Sequence, residues 1–278
     1  MSEFGEAVQL PESGHDSDKC CFCPLEKEQI PERKAKIGKD NNSGTLGGNL
    51  RKKGDDEANH LFEDSIHGKY SVEAHHIICG NEILADEKEV EKFLITRNKQ
   101  TTRKAPGHIE NTLHDVEWDI NAARNGIWLP SVPDKYRKID GEPEVWWGEQ
   151  TKISGRKYLS PSEKSKISFI VMKAVGRQFH KGSHKSAAPP HQSYVDLGID
   201  ELKKVRKVLI YYSQKCPMED GEKKKRDSPP YRPPHGIANT LDLLSDRLKQ
   251  ELLGPPKTWK YFISKFALKC HEWDQGES

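Results

Sequence analysis

The chain has 278 residues with 45 Lys and Arg against 43 Asp and Glu, a formal charge of +2, which allows one ordinary domain or two small ones. Near balance of charge removes any global electrostatic argument for a nucleic-acid partner and leaves only local basic patches. At 33% apolar and 32% charged the core is modest, but six Trp, eight Tyr and eight Phe at periodic positions exclude a chain disordered throughout.

In chain order, residues 1–59 read as an irregular arm rich in Gly, Asn, Ser, Asp and Lys. It carries Cys20-Cys21-Phe22-Cys23-Pro24 and the stretch Leu46-Gly47-Gly48-Asn49-Leu50. The opening residues include Glu3 and Glu6 in place of a basic start and an apolar stretch, so no conventional secretory signal is expected. No run nears the ~18 apolar residues of a membrane span, and six Cys are too few for a disulfide-dense scaffold. Val72, Ile77 and Ile78 flank His75 and His76, the pattern of a short strand running into a loop. Val90, Phe93 and Leu94 mark a short amphipathic helix over 85–96, and a polar, basic stretch follows. Asn125-Gly126 is a turn signal opening a short strand that Pro130 ends.

Ser160, Pro161 and Glu163 form a capping-box start for a helix over 161–179, where Ile167, Ile170, Val171, Ala174, Val175 and Phe179 recur at helical spacing. Further amphipathic helices are predicted over 199–213, 239–253 and 257–270, the last on Trp259, Phe262, Ile263 and Phe266. Residues 215–236, with Lys223 to Arg226 and five prolines, read as a loop or linker. The expected organisation is the arm, a main domain over 60–214, this loop, and a C-terminal helical extension over 237–278 packed on the main domain.

Five of the twelve His fall in two groups, His75-His76 after a strand and His180, His184 and His191 further on. Adjacent residues at a strand end point in different directions, so one imidazole can bind a metal while the other faces a substrate. Two imidazoles four residues apart share a face if they sit on a helix and complete such a site. A divalent ion held this way stabilises charge on a phosphodiester, and the imidazole kept off the metal deprotonates the attacking water.

The order of His-His strand, Asn-bearing turn and strand, then paired His resembles the ββα-metal finger of the HNH/endonuclease VII nuclease superfamily. It is closest to the AHH branch, through Ala74-His75-His76-Ile77-Ile78, Asp119-Ile120-Asn121 to Asn125-Gly126-Ile127-Trp128-Leu129-Pro130, and His180 to His184. These motifs cover roughly residues 71–200. The resemblance implies an α+β fold, a mainly helical domain with an embedded ββα-metal finger, and makes 60–214 the nuclease domain. It implies His75, His180 and His184 as metal ligands, His76 as general base, and Asn121 or Asn125 as the brace of the catalytic loop. Two features depart from the family pattern. The Tyr usually found soon after the second His is delayed to Tyr194, so that His191 is an alternative ligand, and about 40 residues separate the two strands.

The resemblance also implies an antibacterial toxin, as in polymorphic or type VI secretion effectors. Such a protein is made in the bacterial cytoplasm, delivered into a competing cell by a carrier or chaperone, and held in check by a cognate immunity protein. DNA is the favoured substrate and RNA the alternative, and magnesium, manganese, zinc and nickel all suit a site of two or three imidazoles.

Cys20 and Cys23 have the spacing of half a structural zinc site that Cys79, Cys216, Cys270 or His271 would complete; free thiols or a disulfide are the alternatives. Arg97, Lys99, Arg103, Lys104, Lys203 and Lys204 are candidates for tracking a phosphate backbone, against the ordinary role of solvated helix face. Trp146-Trp147 is a base-stacking platform or, more commonly for such a pair, a satellite core cluster. Of the rival readings, a metalloprotease lacks its H-E-x-x-H helix, and a non-enzymatic, zinc-stabilised nucleic-acid-binding module remains.

Overall fold

The computed structural model describes residues 41–64, 68–87, 90, 118–131, 135–136, 143–148, 156–182, 184–185, 191–213 and 237–276. Among the described residues the fold is α+β, with helices and three small sheets, and no described helix is long and apolar enough to cross a membrane. The chain groups into two units, neither of them a consecutive block. One is drawn from Ser43–Ile77, Gly126–Leu197 and Arg247–Ser278, the other from Met1–Asn42, Ile78–Asn125 and Gly198–Asp246.

The first unit is built on β1 (Phe62–Asp64), β2 (Gly68–His76) and β3 (Gly126–Ser131) in the order β1-β2-β3, each pair antiparallel. The β2–β3 register sets Ala74 against Trp128, His75 against Ile127 and His76 against Gly126. All six residues of β3 are buried, so this strand reads as one apolar run and not as an alternation.

Helix α1 (Ser43–Lys52) lies in the stretch that composition reads as an irregular arm. Three glycines in ten residues hide its signal, and it is burial of Leu46 and Leu50 that holds it. Its approach depends on missing side chains. A Cβ on Gly126 would stand 2.7 Å from Leu46 Cδ1 and 3.2 Å from Leu50 Cδ2, and one on Gly47 would stand 3.0 Å from the Trp128 ring. Gly126, read from sequence as half of a turn, is the first residue of β3, and its backbone lies outside the left-handed region. It is glycine because a helix packs on it.

Helix α2 (Pro161–Val175) starts where the capping box puts it, with Glu163 N donating to Ser160 Oγ and Ser160 N donating to the Glu163 carboxylate. It ends four residues earlier than predicted, because Gly176 turns left-handed at φ 61°. Phe179 still reaches the core from the extended segment that follows, in company with Tyr70, Trp147, Ile167, Val171 and Phe266.

The helix predicted over 257–270 is instead a 3-10 turn (Pro256–Thr258), a strand pairing Tyr261–Phe262 with Gln192–Ser193, and helix α5 (Lys265–Gln275). Trp259, Phe262 and Phe266 all face one core from three different elements, which mimics helical spacing. The true start is Ser264, whose Oγ accepts from Ala267 N and donates to Phe179 O. Helix α3 (Tyr194–Ser213) covers the predicted 199–213 and starts five residues earlier, and α4 (Ile237–Gln250) starts two residues before the predicted 239–253 and ends three short of it. The helix over 85–96 and the loop over 215–236 lie largely or wholly outside the described residues.

In the second unit, Arg124 binds Asp242 and Asp246 of α4, and Arg206 of α3 pairs with the buried Glu87 at 3.2 Å. Gly198 of α3 gives Ile83 its space, since a Cβ there would stand 2.5 Å from Ile83 Cδ1.

Replacing Gly126 by Ala is expected to destabilise the protein by about 1–3 kcal/mol through overpacking against Leu46 and Leu50. The urea midpoint reads this directly, and an unchanged midpoint would mean that α1 shifts without loss.

Candidate metal centre

Strand alternation parts the two adjacent histidines. His75, on the same face of β2 as Glu73, meets the rings of His180 and His184, with centres 4.9 and 5.0 Å away; His180 and His184 are 5.2 Å apart. Three imidazoles bound through one nitrogen each to a tetrahedral ion, at about 2.0–2.1 Å, stand with ring centres roughly 5 Å apart. The spacing fits a metal. His75 and His184 offer ligand atoms within 4.8 Å of each other. His180 joins by ring contact, and its Nδ1 lies 3.1 Å from Glu73 Oε2, an arrangement that leaves Nε2 for an ion and aims it.

Neither His180 nor His184 is on a helix, contrary to the expectation that a helical face would bring them together. They flank a loop in which Gly182 takes φ 93°, a left-handed conformation that breaks with a right-handed helix and favours glycine. The loop is anchored where His180 N donates to Pro130 O of β3 at 2.8 Å. Tyr194, the delayed tyrosine, donates its hydroxyl to Ile77 O at 2.8 Å and sets its ring 6.1 Å from His75. His191 has other company, with ring contacts to Phe262 at 5.5 Å and His271 at 6.2 Å.

Electrostatics favour the metal-ready form of His75. Only 3% exposed, it is held well below the usual imidazole range by burial first, then by the neighbouring charges of His180, His184 and His76. It is therefore neutral at pH 7, with a lone pair ready for an ion. Glu73 is held below its ordinary carboxylate value, mainly by its hydrogen bond with His180. Glu73 was missed by the motif reading, although its position two before His75 places it on the same strand face.

His76 is 4% exposed and pairs across the sheet with Gly126. Cross-strand partners share a face, so His76 is on the side where α1 packs.

In the second unit Asn125 is fully buried and uses its whole amide. Its Oδ1 accepts from Ile78 N at 2.8 Å and from Ser245 Oγ at 3.0 Å, and its Nδ2 donates to Ile78 O and Ile120 O. The side chain thus grips the backbone two residues beyond His76 in the chain. Asn121 accepts from Asn42 N through Oδ1, and its own N–H donates to Asp119.

Lys203 and Lys204 are both engaged, with Asp200 at 2.8 Å and Glu201 at 2.7 Å. Cys270 is a core residue whose thiol is pushed up to about 12 by burial, then by Asp274. Cys79, four residues after His75, is buried and its thiol is likewise pushed upward. Cys20, Cys23, Cys216, Arg97, Lys99, Arg103 and Lys104 lie outside the described residues. Comparison with protein-family models, curated proteins and solved structures finds no match to this chain.

Replacing Asn125 by Ala strands the N–H and C=O of Ile78 and the C=O of Ile120, and is expected to destabilise by about 3 kcal/mol or more, read by chemical denaturation. Chelated protein is expected to lose stability as pH falls below about 6.5. There an unfolded His75 takes up a proton that the folded one refuses, so the unfolded state binds more protons. Glu73 adds to the loss only below its ordinary value near 4.5, because its folded carboxyl stays ionised there. Urea midpoints from pH 8 to 5, flatter in His75→Gln than in wild type, are the check.

Proposed function

We propose that the protein is a divalent-metal-dependent endonuclease that hydrolyses phosphodiester bonds with little sequence preference, DNA being favoured and RNA the alternative. The observation that carries this reading is the triangle of His75, His180 and His184, with Glu73 orienting His180. Strands β2 and β3 and the helix beginning at Tyr194 make a ββα-metal finger, in which these three imidazoles hold the ion. When bound, the ion supplies positive charge to the phosphate and to the departing 3′-oxygen.

The rest of the chemistry belongs to the chain. His76, kept off the metal by strand alternation, takes the proton of the attacking water. Asn125 holds the backbone that follows it, and Asn121 secures the turn before β3. Lys203 exchanges its carboxylate partner for a backbone phosphate, since an exposed pair such as Lys203–Asp200 contributes little and gives way readily, and Lys204 stands beside it as a second cation, held by the buried Glu201. The resemblance carries the biological setting, an antibacterial effector delivered into a competing cell and neutralised by an immunity protein.

The burial of His76 favours a second reading, a zinc-stabilised nucleic-acid-binding module in which the histidines are structural. Cleavage of plasmid DNA and of total RNA separates the two. Wild type and His76→Ala are compared with magnesium, manganese, zinc, nickel and a chelator. The nuclease reading expects metal-dependent cutting that drops at least about 100-fold in His76→Ala, with metal binding retained. No cutting by wild type, or equal cutting by the variant, transfers the assignment to the binding module.

A further inference from the structure

The Trp146-Trp147 pair divides between two roles. Val145 and Trp147 are buried in the core, where Trp147 packs on Phe179, the residue before His180, at 5.8 Å. Trp146, between them on strand β4 (Val145–Trp146), turns to the other side and is only half-buried. The guanidinium of Arg156 lies over its ring, 3.8 Å from the centre.

Arg156 is exposed, and no carboxylate or carbonyl among the described residues pairs with it. Four other arginines among the described residues are differently placed: Arg51 binds Glu57, Arg124 binds Asp242 and Asp246, Arg177 donates to Trp128 O, and Arg206 binds Glu87. Exposed Lys157 follows Arg156 directly, and Lys164 Nζ lies 5.7 Å from the Trp147 ring centre. A guanidinium stacked on an indole is restrained in plane and direction while its edge N–H groups stay available, the form in which Arg binds phosphate bidentately.

We propose that Arg156, oriented by Trp146, is a holding site for a backbone phosphate of the nucleic-acid substrate. The site rests on the nuclease reading only for the identity of its ligand. It lies on the unit that carries the histidines and is tied to His180 through Trp147 and Phe179. Trp146 sets the direction of the guanidinium, Lys157 and Lys164 add charge without geometry, and neighbouring bases are left unread, consistent with low sequence preference.

Binding of a labelled single-stranded oligonucleotide and of its duplex is measured with chelator present, so that no cutting intervenes, over a range of salt. Arg156→Ala is expected to weaken binding several-fold and to lower the slope of log affinity against log salt by about 0.7–0.9, one phosphate contact. Arg156→Lys restores the slope and not the full affinity. Trp146→Leu, which keeps the charge and removes the platform, weakens binding with the slope retained. A thermal melt of each variant confirms the fold. Competition by inorganic phosphate at the concentration that displaces the oligonucleotide would reassign the site to a free anion and overturn the proposal. Unchanged affinity and slope in Arg156→Ala, or no binding by wild type, would also overturn it. Binding that depends on Arg156 in a protein that cuts nothing sinks the nuclease reading and leaves this site standing; cutting with Arg156-independent binding does the reverse.

Discussion

Six residue pairs between Ser71–His76 and Gly126–Ser131 carry the candidate site. Because side chains alternate along a strand, this register decides at once that His75 shares a face with Glu73 and that His76 shares one with Gly126. A slip by one residue would exchange the two histidines. Two neighbours defend the register. The helix Ser43–Lys52 can seat Leu46 and Leu50 only where a residue without a side chain stands, at Gly126. On the third strand the carbonyl of Pro130 receives the N–H of His180. The strand pairing and the loop that returns the other two imidazoles are therefore one construction.

Polar burial in the second unit follows the same economy. Asn125 reaches three segments with one amide, touching the backbone at 78 and 120 and the hydroxyl of Ser245. An amide with both ends satisfied is stable in a dry interior, and any smaller or singly functional residue would leave backbone groups unmet. This is why an Asn of that motif can be a fixed point of the fold even though Asn-Gly alone needs only turn chemistry to explain it.

Much of this was legible in the amino-acid sequence where a local rule governs. The capping box at Ser160 and Glu163 starts α2 in the structure as it does on paper, and β2 and β3 lie where β-branched and aromatic residues cluster. The grouping of His75 with His180 and His184 was legible as a motif, but not the means by which they meet. A helical face was expected, and a glycine-bearing loop does the work, since spacing of four residues says nothing about backbone direction once Gly182 is left-handed. The helix Ser43–Lys52 was hidden because its stability comes from contacts with residues far along the chain and not from propensity. The helix over 257–270 failed for the converse reason: a periodicity of three and four was produced by three elements facing one core.

The two strands that meet in this register are separated by residues 77–125, and the third and fourth corners of the histidine–glutamate group lie more than a hundred positions apart, at 73 and 180. Each doubling of a closed loop adds only about 0.6 kcal/mol of entropy, so the distance is tolerable at equilibrium. Its larger effect is on time. Contacts of such sequence separation form slowly, after local helices. The imidazole triangle is thus a late product of folding: every histidine is present in the nascent or unfolded chain, and the arrangement that brings three of them together is not. Were the triangle to take up an ion, that uptake would be a clock for the last long-range step.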